Sequence, residues 1–172
     1  SRLTGKQMYT SATDAEEGSP DYDYSTGFKD GGGSTNADDY GWMWRRTPGF
    51  TDVVAYSGDN TNGRAVPHNL GVTPEMMWVK ARDEASNNWF VYHSATGATK
   101  ATYLNTTSAT ATSAGFWNDT APTSSVFSVY SAFTNSSSYK YIAYLFASVD
   151  GISKVGTYTG TGNDLNVDCG FS

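Results

Sequence analysis

The chain has one cysteine, two histidines and five prolines in 172 residues. A lone thiol, Cys169, cannot close an intrachain disulfide, so no cystine framework holds this fold together. No apolar run approaches the ~20 residues that a membrane-spanning helix needs, and no signal-peptide pattern opens the chain. Positive charge is scarce as well: 11 Lys and Arg stand against 17 Asp and Glu, for a net charge of −6. Phosphate backbones are held by clustered Lys and Arg, and no basic patch is present, so a nucleic-acid partner is excluded. Apolar stripes of period 3.6 over ten residues are also missing, which limits helix to a turn or two.

Aromatic residues are plentiful: 5 Trp, 12 Tyr and 8 Phe, set among Gly, Ser, Thr and Asn. Large rings and β-branched residues suit pleated surfaces and can build a core from few residues. Short runs bounded by turn formers predict strands at 40–45, 51–57, 75–82, 89–93, 101–104, 125–130 and 139–147. Another strand is possible near Lys6, ahead of an acidic, tyrosine-rich loop. This pattern predicts an all-β fold, an antiparallel sandwich of jelly-roll-like type with almost no helix.

The strand around Trp78 is apolar on both faces, with Met76 and Trp78 on one side and Met77 and Val79 on the other. A strand buried on both sides belongs inside a sheet, between layers or beneath a subunit contact. The turn-forming stretch after it ends at Asn87 and Asn88. It predicts a hairpin that lays Trp89 to Tyr92 back along Met76 to Val79.

One stretch of the chain occurs twice. Tyr40-Gly-Trp-Met-Trp44 and the run from Gly49 to Gly58 match Ile142-Ala-Tyr-Leu-Phe146 and the run from Gly151 to Gly160 without a gap, at an offset of 151 − 49 = 102. The pairs are conservative: Trp42/Tyr144, Trp44/Phe146, Val53/Val155, Tyr56/Tyr158, Gly58/Gly160. With one residue deleted, Val66 aligns with Val167 and Leu70 with Phe171. A period near a hundred residues points to tandem β-domains rather than a short solenoid. The expected organisation is a closing part of a preceding domain or a connector over 1–39, a complete repeat over 40–150, and the start of a second, truncated repeat over 151–172. The whole reads as a window on a longer protein.

The succession Tyr56-Ser-Gly58, His68-Asn-Leu-Gly71, Pro74-Glu-Met-Met-Trp-Val-Lys80, Trp89-Phe-Val-Tyr-His93, Tyr103-Leu-Asn105, Trp117-Asn-Asp119 and Tyr141-Ile-Ala-Tyr-Leu-Phe-Ala147 resembles a repeat domain of uncharacterised function. That domain is found in tail-fibre-like and other virion appendage proteins of tailed bacteriophages, many of them marine. The resemblance covers roughly residues 40 to 172. It implies a non-enzymatic virion component and supplies no catalytic or metal residues.

The residues themselves agree with that. No Gly-x-Ser-x-Gly elbow is present, and adjacent His93 and Ser94 point to opposite faces of a strand. Glycan cleavage needs two carboxylates about 5 to 10 Å apart across a groove. Glu75, Asp83, Glu84 and Asp119 are the carboxylates of the strongest blocks, and solvated loops explain them. Asp21, Asp23, Asp38 and Asp39 offer oxygens of the kind Ca²⁺ takes, at spacings that fit no EF-hand. His68 lacks partners for zinc, and capping or packing accounts for it.

Trp and Tyr rings stack on sugars while Asn and Asp fix hydroxyls, so Trp117 with Asn118 and Asp119, and Trp89 beside Asn87 and Asn88, are the candidate glycan platform. The loop composition around Trp117 predicts an exposed ring, whereas Trp78 is the expected buried tryptophan. The sequon at Asn135, like those at Asn105 and Asn118, is expected by chance in so Ser- and Thr-rich a chain. The surplus of rings predicts a homo-oligomer, a trimer as in many fibres, with strand 139–146 meeting across chains.

The expected function is a phage virion structural protein from a tail fibre, spike or capsid-attached appendage. On the particle surface it would act as spacer and weak, multivalent binder of host cell-surface polysaccharide, beside other virion proteins. The alternatives are a polysaccharide-cleaving depolymerase and a bacterial surface adhesin.

Overall fold

A computed structural model describes residues 6–18 and 45–170. The protein is nearly all antiparallel β-structure. Six strands form the main sheet, β3 (Thr51–Ser57), β5 (Met76–Ala81), β6 (Phe90–His93), β7 (Lys100–Tyr103), β8 (Ala111–Thr112) and β10 (Lys140–Phe146), in the order β3-β10-β5-β6-β7-β8. A second sheet pairs β4 (Arg64–Pro67) with β9 (Val126–Val129), and β1 (Lys6–Gln7) pairs with β2 (Glu17–Gly18). The only helix among the described residues, α1 (Ala114–Trp117), is a single turn.

The core lies between the six-stranded sheet and a cover made of β4, β9 and α1. Side chains alternate along a strand, so Val54 and Tyr56 of β3, Met77 and Val79 of β5, Phe90 and Tyr92 of β6, and Tyr141 and Leu145 of β10 face one way. They meet Val66, Phe127, Val129, Phe116 and Trp117 from the cover. Each such side chain contributes about 1.5–3 kcal/mol on burial. The hairpin predicted from Met76 forms in the predicted register, with Met77 opposite Tyr92 and Val79 opposite Phe90, and β5 is an interior strand between β10 and β6. The strand expected over 40–45 falls, but for Arg45, outside the described residues.

β10 is an interior strand: β3 pairs along one edge and β5 along the other, and Tyr141, Ile142 and Leu145 are buried within the chain itself. The surplus of aromatics is spent on filling both faces of one sheet. On the outer face, residues 6–18 form a cover. Arg82 donates to both carboxylate oxygens of Glu16, at 2.8 and 3.1 Å, and the Trp89 indole donates to the Tyr9 carbonyl at 2.9 Å. Beneath it Lys80 is fully buried, and its Nζ donates to the carbonyls of Ala81 (2.6 Å) and Glu84 (2.7 Å). Burial lowers the Lys80 pKa, opposed by Glu84, Asp14 and Asp83.

Candidate functional site

The two tryptophans singled out as a glycan platform are both in the interior. Trp117 ends α1, which Ser113 caps by accepting from the Gly115 amide at 3.0 Å, and Asn118 closes the turn in the left-handed region at φ 55°. Asn is among the few residues that adopt this conformation readily. The capped turn aims Trp117 inward. Its ring is 0% exposed, meets Tyr92 edge-on at 6.0 Å, and donates its indole N–H to the Lys100 carbonyl at 2.9 Å. The expectation of an exposed ring is therefore corrected: loop composition marked a connection correctly, but the connection folds back under its own cap.

Trp89 is 2% exposed. It immediately precedes β6 and lies on the outer face, since Phe90 and Tyr92 face the core. Its amide donates to Asn105 Oδ1 at 2.9 Å, Asn105 in turn donates to Asn88, and its ring tilts against Tyr144 at 6.2 Å beneath the Tyr9 carbonyl. The two rings lie on opposite sides of one sheet, so the fold does not bring them into one site. Trp78 is half-buried rather than enclosed.

Asn118 is half-buried and Asp119 exposed, the latter also left-handed at φ 49°. Of the other carboxylates, Glu75 accepts from the Ser148 amide, Asp83 from Lys140 (2.8 Å) and Glu84 from Ser86 (2.7 Å), so all three tie down backbone. Asp21, Asp23, Asp38 and Asp39, the residues considered for Ca²⁺, lie outside the described residues. His68 packs against Phe127. One ring nitrogen bonds the Thr123 carbonyl at 3.1 Å, and the other accepts from the Leu70 amide at 3.2 Å.

A network that sequence reasoning missed centres on Asn135, which is fully buried. It donates to Asp59 (2.7 Å) and to the Thr61 carbonyl (2.8 Å), and accepts from the Asp59 amide and from Arg64. Its partners lie more than 70 residues away, so nothing local in the sequence signals it.

The feature of the molecule that does repeat is a turn. The Thr47 amide donates to the Thr51 carbonyl at 2.9 Å, the Thr51 amide returns to Thr47 at 3.1 Å, and Gly49 sits at the tip with φ 80°. The Val149 amide donates to the Ser153 carbonyl at 2.9 Å, the Ser153 amide returns to Val149 at 3.0 Å, and Gly151 has φ 72°. These bridges, Thr47 to Thr51 and Val149 to Ser153, are 102 residues apart, the offset of the sequence repeat. A positive φ is where glycine has an advantage over any other residue. Beside the second turn lies an apolar groove of about 360 Å³, lined by Phe50, Met76, Trp78, Phe146, Ile152 and Val155. Phe50 and Ile152 are themselves repeat counterparts.

No curated protein and no solved structure matches the chain. A family model described as a domain of unknown function (DUF7483) matches residues 25–172, and the chain belongs to that family.

Proposed function

We propose that the chain is a structural unit of a tandem-repeat appendage on a tailed-phage particle, serving as a spacer in a tail fibre, spike or capsid-attached appendage. The observation that carries the reading is the turn made twice, by residues 47–51 and 149–153, each leading into a matching sequence. A joint reproduced at a fixed interval is what a string of like domains needs. The phage assignment is supported by the ordered motif blocks from Tyr56 to Ala147. Contact with host polysaccharide gains nothing from Trp117 or Trp89, which are enclosed, and on this reading belongs to exposed loops, where repetition multiplies weak sites.

Mass spectrometry of purified particles should find the protein, and antibodies raised against it should label an appendage. A protein made in infected cells but missing from the particles overturns the assignment. Incubation with host capsular polysaccharide separates the rival readings. Release of reducing ends would identify a depolymerase, and display on uninfected bacteria an adhesin.

A further inference from the structure

The segment 153–159 aligns residue for residue with β3, yet it is no strand here. In the first copy Thr51–Ser57 runs along the whole of β10, from Thr51 opposite Phe146 to Ser57 opposite Lys140. Tyr56 stacks on Tyr141, and Gly58 passes so close to the Ser136 carbonyl that a Cβ there would lie 1.9 Å from its oxygen. In the second copy the tyrosine and the glycine recur without that packing. Tyr158 is 72% exposed, and a Cβ on Gly160 would meet no atom within 4 Å. Ile152, counterpart of Phe50, is 65% exposed, and Val167 is 47% exposed where Val66 is 1%. Among the described residues, four of the seven large exposed apolar side chains, Ile152, Tyr158, Leu165 and Val167, lie in this stretch. A segment that aligns with a strand but is held in no sheet is a template for another sheet.

We infer that residues 153–159 are the first strand of the next unit's sheet, completed by the β10-type strand of a following copy of this fold in the same chain. β10 of the present unit cannot be that partner, because β3 and β5 occupy both its edges. The following copy is favoured because the turn at 149–153 has already set the segment as the turn at 47–51 sets β3. One ion pair of the first copy is missing from the second. Asp52, buried, accepts from the Asn69 amide (2.7 Å) and from Arg46 (2.6 Å), whereas its counterpart is Lys154 and the counterpart of Arg46 is Ser148. Ser148 Oγ instead accepts from the Val155 amide at 3.0 Å, as Asp52 does from Val53 at 2.9 Å. The second joint is thus built without the first one's ion pair. This inference rests on the repeat and is independent of the virion assignment.

The test is hydrogen exchange on the chain as it stands and on a tandem chain in which residues 59–172 follow Gly160, so that 153–159 stands where β3 stands. In the single chain the amides of 156–159, beyond the bonded amides of Ser153 and Val155, should exchange freely. In the tandem they should slow by about 100-fold or more, as paired strand amides do. Free exchange beside a folded second unit would overturn the proposal. So would protection in the single chain that rises with concentration, which would make the occupant a strand of another molecule. If the second unit fails to fold, a graft decides: SKVGTYT, or SDVGTYT with the aspartate kept, replaces TDVVAYS at 51–57 of the full chain. Cooperative unfolding of the aspartate-bearing graft supports the assignment. Behaviour no better than that of a scrambled heptapeptide overturns it.

Discussion

Tyr56 lies face to face with Tyr141, ring centroids 5.2 Å apart and planes 12° apart, and its hydroxyl donates to the Thr134 carbonyl at 2.7 Å. Burial holds the Tyr56 phenol well above its ordinary pKa, with Tyr141 adding to the shift, and burial pushes Tyr141 up to about 12. Both phenols are therefore neutral near pH 7, Tyr56 donating to Thr134 and the Tyr141 oxygen accepting from the Ser136 amide at 3.0 Å. The pair fastens β3 to β10 on the core side.

Tyr56→Phe keeps the stack and leaves the Thr134 carbonyl without that donor. It should cost about 0.5–1.5 kcal/mol. Tyr158→Phe, at the exposed counterpart, should stay within about 0.5 kcal/mol of the parent. Urea unfolding of the two variants checks the contrast.

Gly58→Ala should destabilise by about 1–3 kcal/mol, because the added methyl meets backbone at Ser136 and one of the two segments must move. Gly160→Ala meets nothing within 4 Å and should leave the melting temperature unchanged. Equal losses at both glycines would contradict the difference in packing described for the two copies.

Trp117→Ala should cost roughly 3–5 kcal/mol, as an enclosed ring does. Trp117→Phe should recover much of that loss, but not the bond to the Lys100 carbonyl. Thermal or urea denaturation measures both. A loss within about 0.5 kcal/mol for the alanine variant would place the ring on the surface after all.

Stability should fall on acidification in two stages. Burial lowers the His68 pKa below 6.5, outweighing the Thr123 carbonyl and Asp52, which act to raise it. For Asp52 burial acts upward, but the Asn69 amide, Arg46 and the Val53 amide bring it below 3.8. Both groups are depressed in the fold, so each contributes stability that is complete above its unfolded value and lost as pH falls through its folded one. His68 governs the limb that begins below pH 6.5, and Asp52 the limb that begins below 3.8. Urea midpoints across pH 3 to 8 (about five points) should show the first limb flattened in His68→Gln and the second in Asp52→Asn.

Much of the sheet was legible because its strands are strongly patterned. β3 has the predicted bounds, and β5, β6, β7, β9 and β10 fall within a residue or two of theirs. β4 was missed because Arg64–Pro67 ends in a proline and has only Ala65 and Val66 between its ends; a two-stranded sheet tolerates proline where a central strand does not. β8 was missed because two residues in a Ser- and Thr-rich stretch carry no period. Trp117 was misplaced for a different reason. Composition tells loop from strand, but not which way a loop's rings point, and the signals available were the cap residues Ser113 and Asn118. The segment 153–159 matches β3 in sequence, yet it shows that such a sequence becomes a strand only where a sheet receives it.

The pairing of Thr51 with Phe146 places the point where the chain enters the main sheet directly across from the point where it leaves. Tension applied through those points loads the β3–β10 ladder at one end, so its bonds break in succession instead of sharing the force in shear. A string of such units would give way by peeling β3 while the rest of each sheet stays closed.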